Sequence, residues 1–234
     1  MGSVDTVNEL TALADELSKK HTFQIAYKNE SDFMKLIGKL MFFNPQFMTK
    51  YITTINGMVY FPSAEFVAIH APALRSVLAH EFYHIWDAQR TGSILWHMLW
   101  LMPQLLAPLA MLALLALVWP PALWMLMALV FLLPWPAYWR KKYELGGYTM
   151  SLFVLNEQLK DWGLDEVTRR NELIQTADTM DQQFRGAYYY FMWPFGVRKA
   201  LQSTIDPIMS GDILNTEEVF PFVLKCLNDS KSES

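Results

Sequence analysis

Cysteine is nearly absent: Cys226 stands alone among 234 residues, so no disulfide can form within the chain, which fits a reducing compartment. The first twenty residues carry acidic side chains and no apolar core, so they do not read as a secretory signal. A net charge of -4 leaves no basic footprint for nucleic acid. No repeat or low-complexity stretch stands out beyond one apolar block. The most informative absence is local: from Thr91 to Trp139 there is no Asp, Glu, Lys or Arg. The 53% hydrophobic content, high for a chain living wholly in water, is concentrated there.

That block divides at Trp119-Pro120-Pro121. Residues 94–118 and 122–139, about 25 and 18 residues, can each span or nearly span a hydrocarbon core, so the block is expected to be a two-helix transmembrane hairpin over 94–139. Trp96, Trp100, Trp119, Trp135, Tyr138 and Trp139 gather near its ends, as at headgroup depth. Arg90 precedes it and Arg140-Lys141-Lys142 follows, which by the positive-inside rule puts both termini on the cytoplasmic side of a two-pass integral membrane protein. Pro103, Gln104 and Pro108 predict a kink in the first span. The spans lack charged pore-lining residues and a G-x-x-x-G packing motif, which argues against a channel.

Ahead of the block stands His80-Glu81-Phe82-Tyr83-His84. On a helix, H-E-x-x-H sets two imidazoles one turn apart on one face, a spacing that can hold Zn2+, with Glu81 beside the metal as general base for peptide hydrolysis. A catalytic zinc needs a third protein ligand. A two-pass hairpin returns the chain to the side it left, so Glu144 is the first carboxylate to meet the histidines again; Glu157 and Asp161 are the alternatives. Asp87, three residues beyond His84, is placed either to accept the second ring N–H of a ligand histidine or simply to end a helix. His70 reads as a cap or surface residue, and Pro72 as the first turn of the metal helix.

The run Val77-Leu78-Ala79-His80-Glu81-Phe82-Tyr83-His84, an apolar hairpin, then Arg140-Lys141-Lys142-Tyr143-Glu144 resembles the membrane-integrated gluzincins of the HtpX/Ste24 type, peptidase family M48. The likeness covers roughly residues 51–159. It implies His80, His84 and Glu144 as zinc ligands, Glu81 as general base, a strand hairpin before the metal helix, and an active site facing the cytoplasm. The family usually has an aspartate four residues after its ligand glutamate; here Tyr148 stands there, so Asp87 or the Tyr148 hydroxyl would have to support a histidine. The family's N-terminal spans also have no counterpart in this sequence.

Elsewhere, residues 5–19 have helical spacing, 22–27 alternate like a short strand, and Ser31 caps a second helix to about residue 43, with Phe33, Leu36, Ile37, Leu40 and Met41 on one face. That face suits either the domain core or a bilayer surface. Tyr51 to Phe61, broken at Asn56-Gly57, predicts a β-hairpin whose open edge could take a polypeptide substrate as an extended strand. No histidine follows His97, so an oxyanion donor must come from Arg185, Tyr188, Tyr189, Tyr190 or Arg198, unless that aromatic cluster is core or membrane interface. Glycine at 163 ends one helix, a last helix runs to about 227, and 228–234 reads as a disordered tail.

The expectation is a single α+β, mainly helical domain over 1–234: a zincin-like metallopeptidase with a small antiparallel sheet, interrupted by the hairpin. It would bind one Zn2+ per chain, sit in a bilayer, and cleave membrane or unfolded proteins. The other reading is a catalytically inactive membrane-anchored scaffold that keeps the metal helix for structure.

Overall fold

The computed structural model describes residues 3–42, 44–132, 137–185 and 195–232. Two helices form its spine. One, α3 (Ala64–Thr91), packs along another, α5 (Tyr138–Asp161), and their shared interior holds Leu78, Phe82, Met150 and Phe153. The amphipathic α1 (Ser3–Ser18) lays Leu10, Leu13 and Leu17 onto α3. After α5, Gly163 takes a positive φ of 73° and stops the helix. Asp165 then caps α6 (Glu166–Arg185) by accepting from the Val167 and Thr168 amides. Helices α7 (Val197–Ser210) and α8 (Val219–Ser232) close the domain, α7 against α5 and α6, α8 against α1. Residues 228–232, expected in a tail, instead continue α8, which runs to Ser232 with Ser230 buried.

The sheet has three strands in the order β1 (Gln24–Tyr27), β3 (Met58–Phe61), β2 (Thr53–Ile55). The β2–β3 hairpin turns on Asn56 (φ 51°) and Gly57 (φ 81°), as the sequence predicts. A Cβ on Gly57 would lie 2.4 Å from the Thr22 carbonyl oxygen, so space as well as φ demands glycine. The sheet is mixed, not antiparallel, because β1 runs parallel to β3. The connection between them contains α2 (Asp32–Leu40), long enough for the crossover that parallel pairing needs.

Helix α3 starts earlier than the proline suggests. The Ser63 hydroxyl accepts from the Phe66 amide at 3.1 Å, so Pro72 lies inside the helix, and so does His70, whose Nδ1 sits 2.8 Å from the Phe66 carbonyl oxygen.

The apolar block departs from two long α-helices. It begins as α4 (Ser93–Leu101), bends by 79°, and continues as 3-10 helices over Gln104–Leu117 and Pro120–Leu132 that pack on each other. The bend falls at Met102-Pro103, where proline removes a backbone donor. Among the described residues no single helix is long and apolar enough to cross a membrane; the bent pair passes such a test jointly. The block is no buried core: Leu114, Leu117 and Val118 are 70, 91 and 85% exposed. Arg140 pins its base to α5, donating to the Trp100 carbonyl and to Gln104 while lying over the Trp100 ring.

Candidate metal centre

His80 and His84, four residues apart on α3, point the same way, and their Nε2 atoms lie 3.0 Å apart. Glu144, in the second turn of α5, brings Oε2 to 3.4 Å from His80 Nε2 and 3.8 Å from His84 Nε2. The three ligand atoms fall within 4.8 Å of one another, a group that could hold a metal ion. Tetrahedral ligands at 2.0–2.1 Å from zinc sit roughly 3.3 Å apart, and the three measured separations bracket that value. Two imidazoles and a carboxylate are also a donor set that zinc accepts.

The cradle is cut to fit. A Cβ on Gly147 would lie 2.8 Å from His80 Cε1 and Nε2, and one on Gly146 would lie 2.3 Å from the Tyr83 ring. The two glycines therefore let α5 close on the histidine face of α3. The sequence reading missed them, although two adjacent glycines inside a helix, each costing about 0.5–1 kcal/mol against alanine, were a signal.

Electrostatics follow from the burial. Burial alone would push the His84 imidazolium down, but Glu144 beside it wins and raises its pKa above the ordinary value. Burial alone would raise Glu144, but hydrogen bonds and charge from His80 and His84 hold it well below the usual carboxylate range. Without a metal, His84 and Glu144 each favour the other's charged form.

Glu81 leans toward the sheet, where it accepts from the Thr54 hydroxyl of β2 at 2.6 Å. Thr54 is a third residue that the sequence did not single out. The histidines, Glu81, Glu144 and Thr54 all line one cleft of 1080 Å³. Its walls are β2, α4 and α6, and the outer edge of β2 has no strand partner among the described residues.

Other expectations change. Asp87 is buried, but it accepts from Trp96 Nε1 and Arg90, both at 3.0 Å, instead of from a histidine. It holds Trp96, whose ring stands 5.8 Å from that of His84. His84 Nδ1 is buried with no hydrogen-bond partner among the described residues, a departure from the usual metal-site arrangement in which that nitrogen donates. Tyr148 touches His80 through its ring, at 4.7 Å between centroids, while its hydroxyl donates to Gln183. Arg185 pairs with Asp181, and Arg198 with Asp178, so neither is aimed at the trio. Tyr188, Tyr189 and Tyr190 lie outside the described residues. The alternative ligands are engaged elsewhere, Glu157 with Lys160 and Asp161 with Lys231.

No protein-family model matches this chain, and comparisons with curated proteins and with solved structures return no match. Any gluzincin reading therefore stands on the trio, Glu81 and the order of elements around them.

Proposed function

We propose that this protein is a membrane-anchored, zinc-dependent endopeptidase. The observation that carries the reading is the convergence of His80, His84 and Glu144, from two helices separated by the apolar block, in a cleft that also holds Glu81. Zinc held by the trio would supply Lewis acidity and make water a nucleophile at neutral pH. Glu81, steadied by Thr54, takes the proton from the attacking water and returns it to the leaving amine nitrogen. A polypeptide laid along the open edge of β2 gains main-chain hydrogen bonds and passes its backbone by the trio, which suits a protease of broad sequence tolerance.

Membrane anchoring is supported by the exposed, uncharged block. At about 2.0 Å per residue its two 3-10 arms, 14 and 13 residues, come to roughly 28 and 26 Å, against ~30 Å of hydrocarbon. By the positive-inside rule, Arg140, Lys141 and Lys142 after the block support a cleft that faces the cytoplasm.

The test is metal content by mass spectrometry on detergent-purified protein, paired with proteolysis of an unfolded substrate. One zinc per chain is expected, lost or much weakened in His84→Ala and Glu144→Ala. Glu81→Gln should keep the metal and lose cleavage. Zinc with no cleavage by the wild type would favour the scaffold; no zinc after reconstitution would end the peptidase reading.

A further inference from the structure

Helix α2 has two apolar faces, and the fold uses one. Met34, Ile37 and Met41 turn inward against Phe47, Met48 and Tyr60. The packing is close, since a Cβ on Gly38 would come within 2.8 Å of Met48 Sδ. On the outer face Phe33, Leu36 and Leu40 are 53, 57 and 67% exposed, and Phe42, just past the helix, is 84% exposed. A contiguous apolar ridge of this kind gains nothing from water and marks a contact surface. Lys39 and Lys35, both exposed, flank it, Lys35 pairing at 3.1 Å with the exposed Asp32, a contact it would exchange for lipid phosphate. Protein interfaces deplete lysine, whereas the surface of an acidic bilayer takes leucine and phenylalanine below the headgroups and lysine among them.

Position agrees with composition. Because α4 meets the following arm at 79°, an arm crossing the bilayer leaves α4 lying nearly in the membrane plane. Helix α4 turns Trp96, His97 and Trp100 to the cleft and leaves Ile94, Leu95 and Met98 exposed. Across the same cleft stand Lys50 and Tyr51, next to the Phe47–Met48 segment on which α2 rests. Thus α4 lines the cleft, and α2 rests on the segment that leads into the cleft residues Lys50 and Tyr51.

We infer that α2 is a second membrane contact: it lies in the headgroup layer of an acidic bilayer, with Phe33, Leu36, Leu40 and Phe42 inserted and Lys35 and Lys39 on lipid phosphates. The cleft is thereby held against the membrane surface. This rests on the reading of the apolar block as embedded, and the experiment separates the two.

Single cysteines at Leu36→Cys, Leu40→Cys, Leu114→Cys and Val167→Cys, in a Cys226→Ser background, each carry an environment-sensitive fluorophore. The full chain is reconstituted in equimolar phosphatidylcholine and phosphatidylglycerol vesicles, with and without brominated lipid. Val167 follows α5 at the end remote from the apolar block and serves as the aqueous reference. The expected result is blue-shifted emission, mostly lost to brominated lipid, at 36, 40 and 114 but not at 167. Changing Lys35 and Lys39 to Gln should lower the docked-to-undocked ratio by about fivefold per lysine in these vesicles and little in pure phosphatidylcholine. Quenching at 114 with none at 36 or 40 overturns the inference and leaves the anchor standing; quenching at none of the sites overturns both. Blue-shifted but unquenched emission at 36 and 40, reverting on dilution of protein in lipid, would mean that a second copy covers the ridge, and overturns the lipid assignment.

Discussion

Thr54 and the glycine pair show how single side chains tune the centre. Thr54→Val removes one charge-assisted hydrogen bond to Glu81, worth about 1.5–3 kcal/mol. Cleavage should fall by roughly 10- to 100-fold with zinc content unchanged, and Thr54→Ser should recover most of it; kcat/KM beside metal analysis checks this. Gly146→Ala and Gly147→Ala should stabilise by about 1 kcal/mol on helix propensity alone. The contacts reverse the sign: alanine at 146 collides with the Tyr83 ring and alanine at 147 with His80. Both should lower Tm, and Gly147→Ala should also weaken zinc by about tenfold or more, as a displaced ligand shell does. His80, Glu81 and His84 were legible in the sequence because H-E-x-x-H states its own spacing, whereas Glu144 was reached from the order of elements around the apolar block, with Glu157 and Asp161 beside it. Thr54 was not, since nothing local links residues 54 and 81. The role of Asp87 stayed open between a histidine and a helix end because one of its partners, Trp96, sits on the next helix.

The same pairing of α3 with α5 governs response to pH and the seating of the apolar block. In chelator-treated protein, the raised His84 contributes stability that is full below its ordinary value of 6.5 and fades as pH climbs through the folded value. The depressed Glu144 contributes stability that is full above 4.5 and fades as pH falls toward its lower folded value. The metal-free protein should therefore melt highest between about 4.5 and 6.5, and Glu144→Gln should flatten both flanks in a thermal-melt series. Zinc competes with the proton on His84, so binding should weaken progressively as pH drops through that histidine's raised value. At the base of the block, Arg140→Ala removes the hydrogen bonds to the Trp100 carbonyl and Gln104. Protease protection around α4 should fall while the trio keeps its metal. Helix positions read well from periodicity and caps; β1 pairing did not, because parallel partners lie far apart in sequence. Pro72 was misread because the Ser63 cap starts α3 about two turns earlier, and nothing in the sequence singled out the 3-10 form of the arms.

For the whole molecule, the decisive feature is that two proposed ligands precede the apolar block and the third follows it. His80 and His84 lie on α3, before the two arms in the chain, whereas Glu144 lies on α5, after both. A ribosome-bound chain stopped within the arms therefore holds two of the three proposed ligands. If the trio is the catalytic site proposed above, hydrolytic capacity would be withheld until the apolar block is complete, and metal uptake would report on that completion.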